Sequence, residues 1–193
     1  MLELVTPGMA YLAEYVAALE REWSPDTGRD VSAAQLALAR TDGVGFVANM
    51  ARTEGGTLAQ PDGTLKDRIP GRILWMWDGG FLGTINYRHV PATEELPPGI
   101  SGHVGYAVVP WMRRRGYGTR ALGMLLPIAR TDGLRRVLIT CDFDNEGSRK
   151  VIEAHGGALV GDAPPLRAGE KRKLAYWVST GDAEASEAAS LLV

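Results

Sequence analysis

From Arg72 onward the chain alternates β-rich runs with helical stripes, and that order constrains its fold more than any single residue does. "RILWMWDGGFLGTINYRHV" sets two β-rich runs around Asp78-Gly79-Gly80, which predicts a hairpin. "GHVGYAVVP" predicts a strand that stops at Pro110. Thr119 to Asp132 carries a helical stripe of Leu122, Leu125, Leu126 and Ala129 that ends before Gly133, with an expected kink at Pro127, whose ring nitrogen cannot bond back to Gly123. "RRVLITCDF" reads as a strand buried on both faces, "NEGSRKVIEAHGG" as a helix with Asn145 near its N-cap and Gly156 past its end, and "KLAYWVST" as a closing strand. Strand, helix, strand, helix, strand after a hairpin indicates a mixed α/β fold.

The first third is helical in pattern. Met9, Leu12, Tyr15, Val16 and Leu19 recur at three- and four-residue spacings between Pro7 and Glu22, and Ser32 stands where it could cap a second short helix. "TEGGTLAQPDGTLKDRIPG", residues 53–71, shows no sustained periodicity and reads as a surface loop, as does "ATEELPPGIS". Trp75 and Trp77 point to one side of their strand and suit a core.

At 193 residues and 45% apolar, one domain over residues 1–180 with a tail at 181–193 is the expectation. Lys and Arg total 21 against 23 Asp and Glu, a net charge of −2, which argues against nucleic-acid binding through an overall field. The lone Cys141 permits no internal disulfide, and nothing marks a leader or a membrane span, so a cytoplasmic protein is expected.

Against that nearly neutral background, "RRRGYGTR" concentrates Arg113, Arg114 and Arg115 beside Gly116 and Gly118, between a strand and a helix start. Glycines let backbone approach a ligand, a helix start offers free N–H groups, and arginines add charge-assisted bonds, so a phosphate or pyrophosphate suits the place. A solvated basic turn is the plain alternative. The spacing Gly116, Gly118, Ala121, with Asp142 further on, also fits a dinucleotide fingerprint, although that fingerprint opens directly off a strand and here six residues intervene.

Arg113, Gly116 and Gly118 after "VVP", followed by Asn145, Ser148 and Gly156 in "LITCDFDNEGSRKVIEAHGG", resemble the GNAT superfamily of acyl-CoA-dependent N-acyltransferases over roughly residues 70 to 180. "INYRHV", "GHVGYAVVP" and "VLITCDFDN" are similar to a bacterial subgroup of acetyltransferases with largely unassigned acceptors. The resemblance implies N-terminal helices followed by a mixed, mostly antiparallel sheet flanked by helices. It implies an acetyl-CoA-dependent N-acetyltransferase that moves acetyl to a primary amine of a small molecule or peptide, without a metal. It implies that Arg113, Arg114, Arg115, Gly116, Tyr117, Gly118 and Thr119 cradle the coenzyme A pyrophosphate, that Tyr106, Ala107 and Val108 line the pantetheine arm, and that Asn145 and Ser148 belong to the coenzyme site. The Val108 N–H is the implied oxyanion donor.

Where many relatives carry a glutamate base this chain has His103, a residue whose unperturbed pKa of about 6.5 suits proton removal but which equally serves a sheet as a structural residue. Where they carry a tyrosine acid it has Ile152, which leaves Tyr106 and Tyr176 as substitutes. His89 and His155 read as structural, Cys141 as a buried small hydrophobe, and Asp142 and Asp144 as helix caps or attractors of a cationic acceptor. A non-catalytic acyl-CoA sensor is the rival from the binding class. A homodimer is compatible with the resemblance and undecided by the sequence.

Overall fold

The computed structural model describes residues 1–59, 65–165 and 171–181. The helices and strands fall into a mixed α/β arrangement whose seven-stranded sheet has the order β1 (Glu3–Val5), β4 (Gly71–Trp77), β5 (Phe81–Arg88), β6 (Val104–Val108), β7 (Arg136–Asp142), β9 (Lys173–Ser179), β8 (Ala158–Ala163), with β2 (Gly56–Ala59) and β3 (Leu65–Arg68) as a separate pair. Two compact units divide the chain, one of residues 1–88 and 105–121, the other of 89–104 and 122–193.

The first unit holds β1 (Glu3–Val5), α1 (Met9–Glu20), α2 (Ser32–Thr41), α3 (Gly43–Ala51), β2 (Gly56–Ala59), β3 (Leu65–Arg68), β4 (Gly71–Trp77), β5 (Phe81–Arg88) and most of β6 (Val104–Val108). Asp78-Gly79-Gly80 makes the expected hairpin, with Gly79 at φ 71°. Apolar α1 residues at helical spacing explain its docking: Tyr15 stacks on Trp75 at 4.5 Å and meets Trp23 and Phe81 edge-on, while Tyr11 meets Trp77 at 4.8 Å. Each such pair adds about 1 kcal/mol beyond the area it buries. Trp75 is therefore a core residue, and Trp77 packs half-buried against the same cluster.

Two expectations fail in this unit. Ser32 does not cap α2; it is the first helical residue, and Asp30 accepts both its N–H (2.9 Å) and its hydroxyl (2.6 Å). Residues 53–71 are not a plain loop, because Gly56–Ala59 and Leu65–Arg68 pair as antiparallel strands. Their backbone pairing needs no apolar periodicity, so composition alone concealed it.

The second unit holds the rest of α4 (Tyr117–Thr131), then β7 (Arg136–Asp142), α5 (Glu146–Glu153), β8 (Ala158–Ala163) and β9 (Lys173–Ser179). β6 joins β7 in parallel at Val104↔Ile139, and β9 pairs antiparallel with both β7 and β8. α4 continues as one helix through Pro127. β7 alternates, burying Val137, Ile139 and Cys141 and leaving Leu138 and Thr140 half-buried, so it is not equally buried on both faces. Asn145 caps α5 by accepting the Ser148 N–H at 3.0 Å. Of the expected tail, only Gly181 lies among the described residues.

Candidate active site

The first unit brings Tyr106, Ala107, Val108 and the segment Arg113 to Thr119 together, because a short 3-10 turn at Pro110–Met112 folds the chain from β6 directly to the start of α4. Val109 donates its N–H to the Leu82 carbonyl at 3.0 Å, on the β5 side of the strand. Successive strand residues point their N–H groups to opposite edges, so the Val108 N–H leaves on the edge away from β5. Gly83, at φ 142°, lets β5 approach: a Cβ there would lie 2.2 Å from the Ala107 oxygen. Tyr106 and Val108 are half-buried, as residues flanking a ligand on a strand edge would be.

Arg113 returns to the strand, its Nε donating to the Val108 carbonyl at 3.1 Å. Arg114 and Arg115 are exposed. Arg114 has φ 62° and Gly116 φ 76°, so two left-handed residues shape the loop. Such a conformation is ordinary for glycine and costs an arginine about 1–2 kcal/mol, a strain of the kind that functional loops retain. Gly116 supplies the carbonyl that accepts the Arg120 N–H at 3.0 Å and so opens α4, leaving the N–H groups of the first turn outside the helical ladder. A Cβ at Gly116 would meet nothing within 4 Å, so its glycine is required by conformation and not by crowding. Tyr117 lies under the Arg120 guanidinium at 4.7 Å, and Trp111 under that of Arg21 at 3.4 Å. Charge, free N–H groups and bare backbone fit a pyrophosphate.

The remaining candidates belong to the second unit. His103 is 0% exposed; its backbone N–H donates to the Leu138 carbonyl at 2.7 Å, and its Nδ1 accepts the Leu138 N–H at 2.9 Å. A ring that accepts at Nδ1 carries its proton on Nε2 when neutral, so neither nitrogen offers a lone pair to an ammonium proton. That arrangement makes His103 an anchor of the β6–β7 junction and counts against it as the base. Tyr176, on β9 opposite Ile139, is buried at 3% exposure, and Ile152 is a core residue at 0%.

Asn145 and Ser148 shape the start of α5, and Ser148 also hydrogen-bonds the Cys141 thiol. Burial pushes that thiol up, against a nucleophilic role. Asp142 and Asp144 do not cap α5: Asp142 pairs with Lys173 at 2.5 Å and Asp144 with Lys171 at 2.9 Å. His155 lies against Gly123, whose Cβ would come 3.0 Å from its ring, and His89 is half-buried. Among the described residues no three His, Cys, Asp or Glu side chains group as metal ligands, and no helix is long and apolar enough to cross a membrane.

The sequence matches the Acetyltransferase (GNAT) family over residues 32–156, and the chain belongs to that family. RimL, a ribosomal L7/L12 α-N-protein acetyltransferase solved with coenzyme A, has TM-score 0.63 and 17% identity, covering 94% of this chain and 96% of that one. RimJ of Mycobacterium smegmatis, solved with a CoA-disulfide, has TM-score 0.61 and 20% identity, over 95% and 83% of the two chains. The microcin C7 self-immunity acetyltransferase MccE, solved with acetyl-CoA and AMP, has TM-score 0.58 and 15% identity, over 92% of each. At these identities the likeness establishes the fold. No curated protein matches the sequence.

Sequence reasoning missed two features. One is the strained Arg114, which no residue pattern announces. The other is the row Thr84, Asn86, Arg88 on β5, whose alternation with Ile85 and Tyr87 was visible but suggests a solvent-facing edge.

Proposed function

We propose that the protein transfers acetyl from acetyl-CoA to a primary amine by direct attack on the thioester. The observation that carries this reading is the Arg113–Thr119 loop, where Arg114 is kept in a left-handed conformation at the opening of α4, immediately after a strand edge that presents the Val108 N–H. The coenzyme is the substrate here; Arg114, Arg115 and the N–H groups of Gly116 to Thr119 would hold its pyrophosphate, and Arg113 would hold the loop to Val108. Tyr106, Ala107 and Val108 would line the pantetheine arm.

The chemistry follows from those groups. A neutral amine adds to the thioester carbonyl, the Val108 N–H stabilises the oxyanion, the nitrogen gives up its extra proton to water, and the tetrahedral species collapses as the C–S bond breaks and the coenzyme thiolate leaves. A well-placed donor of this kind lowers the barrier by about 3 kcal/mol. Tyr106, half-buried on the same strand, is better placed than the buried Tyr176 to give the thiolate a proton. His103 contributes by fixing where β6 begins.

The core position of Ile152 favours the sensor as the second reading, since it removes the usual acid. Calorimetry with acetyl-CoA on the wild type and on Gly118→Trp, followed by detection of free thiol on adding amines, tests both. Binding that disappears in the variant and thiol that appears only with amine support transfer. Binding without thiol from any amine supports the sensor, and no binding in the wild type sinks both.

A further inference from the structure

The core-facing side of the first unit carries a row of polar side chains that the acetyl-transfer chemistry does not use. In the β4–β5 register Thr84 pairs with Trp75, Asn86 with Ile73 and Arg88 with Gly71. Directly paired residues share a face, so this row lies on the side where Trp75 and Ile73 pack with Leu12, Tyr15 and Leu19 of α1. Polar groups on such a face need partners. Thr84 is 2% exposed, and its hydroxyl has no hydrogen-bond partner among the described residues.

Arg88 is the sharper case. Its guanidinium, with five N–H donors, makes one hydrogen bond among the described residues, from Nη2 to Asn86 Oδ1 at 2.9 Å. Asp26 acts on it only through its field: that carboxylate already accepts from the Gly28 N–H at 2.8 Å and from Arg29 Nε at 3.1 Å. Burial lowers the Arg88 pKa, the direction expected of a cation removed from water without a contact anion. On β6 a Cβ at Gly105 would lie 3.5 Å from Arg88 Nη2 and 3.4 Å from Asn86 Oδ1, so that strand carries no side chain beside the guanidinium.

We infer that Arg88, steadied by Asn86 and left uncovered by Gly105, binds a carboxylate of the acceptor, so that the acceptor is a small amine bearing a carboxylate several bonds from its reactive nitrogen. This rests on the acetyl-transfer reading above. A planar guanidinium fork matches a carboxylate in two parallel bonds, and a half-buried position strengthens them. The separation comes from β6: Gly105 to Val108 is three residues, about 10 Å at the strand rise. An amine attacking beside Val108 while its carboxylate rests over Gly105 spans an ω-amino carboxylate and not the short reach between the α-nitrogen and α-carboxylate of one amino acid.

The test uses the full chain with coenzyme A present and matched probes: 4-aminobutanoate, 6-aminohexanoate and 8-aminooctanoate, each against the alkylamine of the same length, titrated by calorimetry. In at least one pair the carboxylate member should bind roughly ten- to a hundred-fold more tightly. Arg88→Gln should abolish that preference, and Arg88→Lys should retain part of it. Gly105→Ala, whose methyl group meets its neighbours at ordinary contact distance, should weaken the carboxylate member by occupying its place. No preference in any pair, or one that survives in both Arg88→Gln and Gly105→Ala, overturns the inference. Acetyl-CoA affinity is measured on each protein, and its absence in the wild type would sink the transfer reading separately, since the carboxylate preference is read from the amine probes alone.

Discussion

Arg114 carries a conformation that glycine would adopt without strain, and the charge it brings is the only return for that cost. Arg114→Gly is therefore expected to raise stability by about 1 kcal/mol in denaturant unfolding while weakening acetyl-CoA binding by calorimetry. A variant that gains stability and keeps full affinity would remove Arg114 from the coenzyme site. His103 predicts the opposite pattern. Truncation to alanine leaves the Leu138 N–H without its acceptor inside the sheet and opens a cavity, so His103→Ala should lose about 2–4 kcal/mol of stability. If His103 were the base, the variant's turnover would instead collapse with its melting temperature little changed. Both residues were recognisable in the sequence as unusual. What each does depended on a dihedral angle in one case and on the partner of one ring nitrogen in the other, and neither is written in residue order.

At the scale of elements, local signals and structure agree where a few neighbouring residues set the outcome. Asn145 caps α5 because its side chain reaches a backbone N–H three residues on, a purely local bond. Asn145→Ala should cost about 1 kcal/mol, read as a lower melting temperature. The Asp78-Gly79-Gly80 hairpin was legible for the same reason. β8 was not: its residues are mostly exposed, it has no alternation, and it exists because β9 supplies its hydrogen bonds. β2 and β3 escaped notice likewise, each relying on the other. The apolar stripe of α1 was plain, whereas the polar row on β5 gave no comparable signal, because alternation tells which residues share a face and not which face meets the helices.

For the molecule as a whole, surface pairs tune the response to acid. Hydrogen bonds from Arg136, Lys171 and Arg172 hold the carboxyls of Glu94, Asp144 and Asp162 below the usual carboxylate range. A depressed folded pKa contributes stability that is complete above the unfolded value, near 4, and is lost as pH falls through the folded value. Melting temperature should therefore hold from neutral pH down to about 5 and decline below 4, with a shallower decline in Asp162→Asn. Exposed pairs contribute modestly, so added salt should blunt the effect. Cys141, buried with its thiol pushed up, should react with a thiol reagent at pH 8 far more slowly than the same residue in the unfolded chain.

The sequence by itself determined the α/β order, the hairpin, the Asn145 cap and the arginine-glycine loop, because each depends on side chains within a few residues of one another. Only the tertiary structure decided that His103 is committed to Leu138, that Ile152 and Tyr176 are core residues, and that Arg88 faces the packed side of the sheet beside bare glycine. Those facts turn on which strand lies next to which and which face each turns inward, and such pairings join residues tens of positions apart.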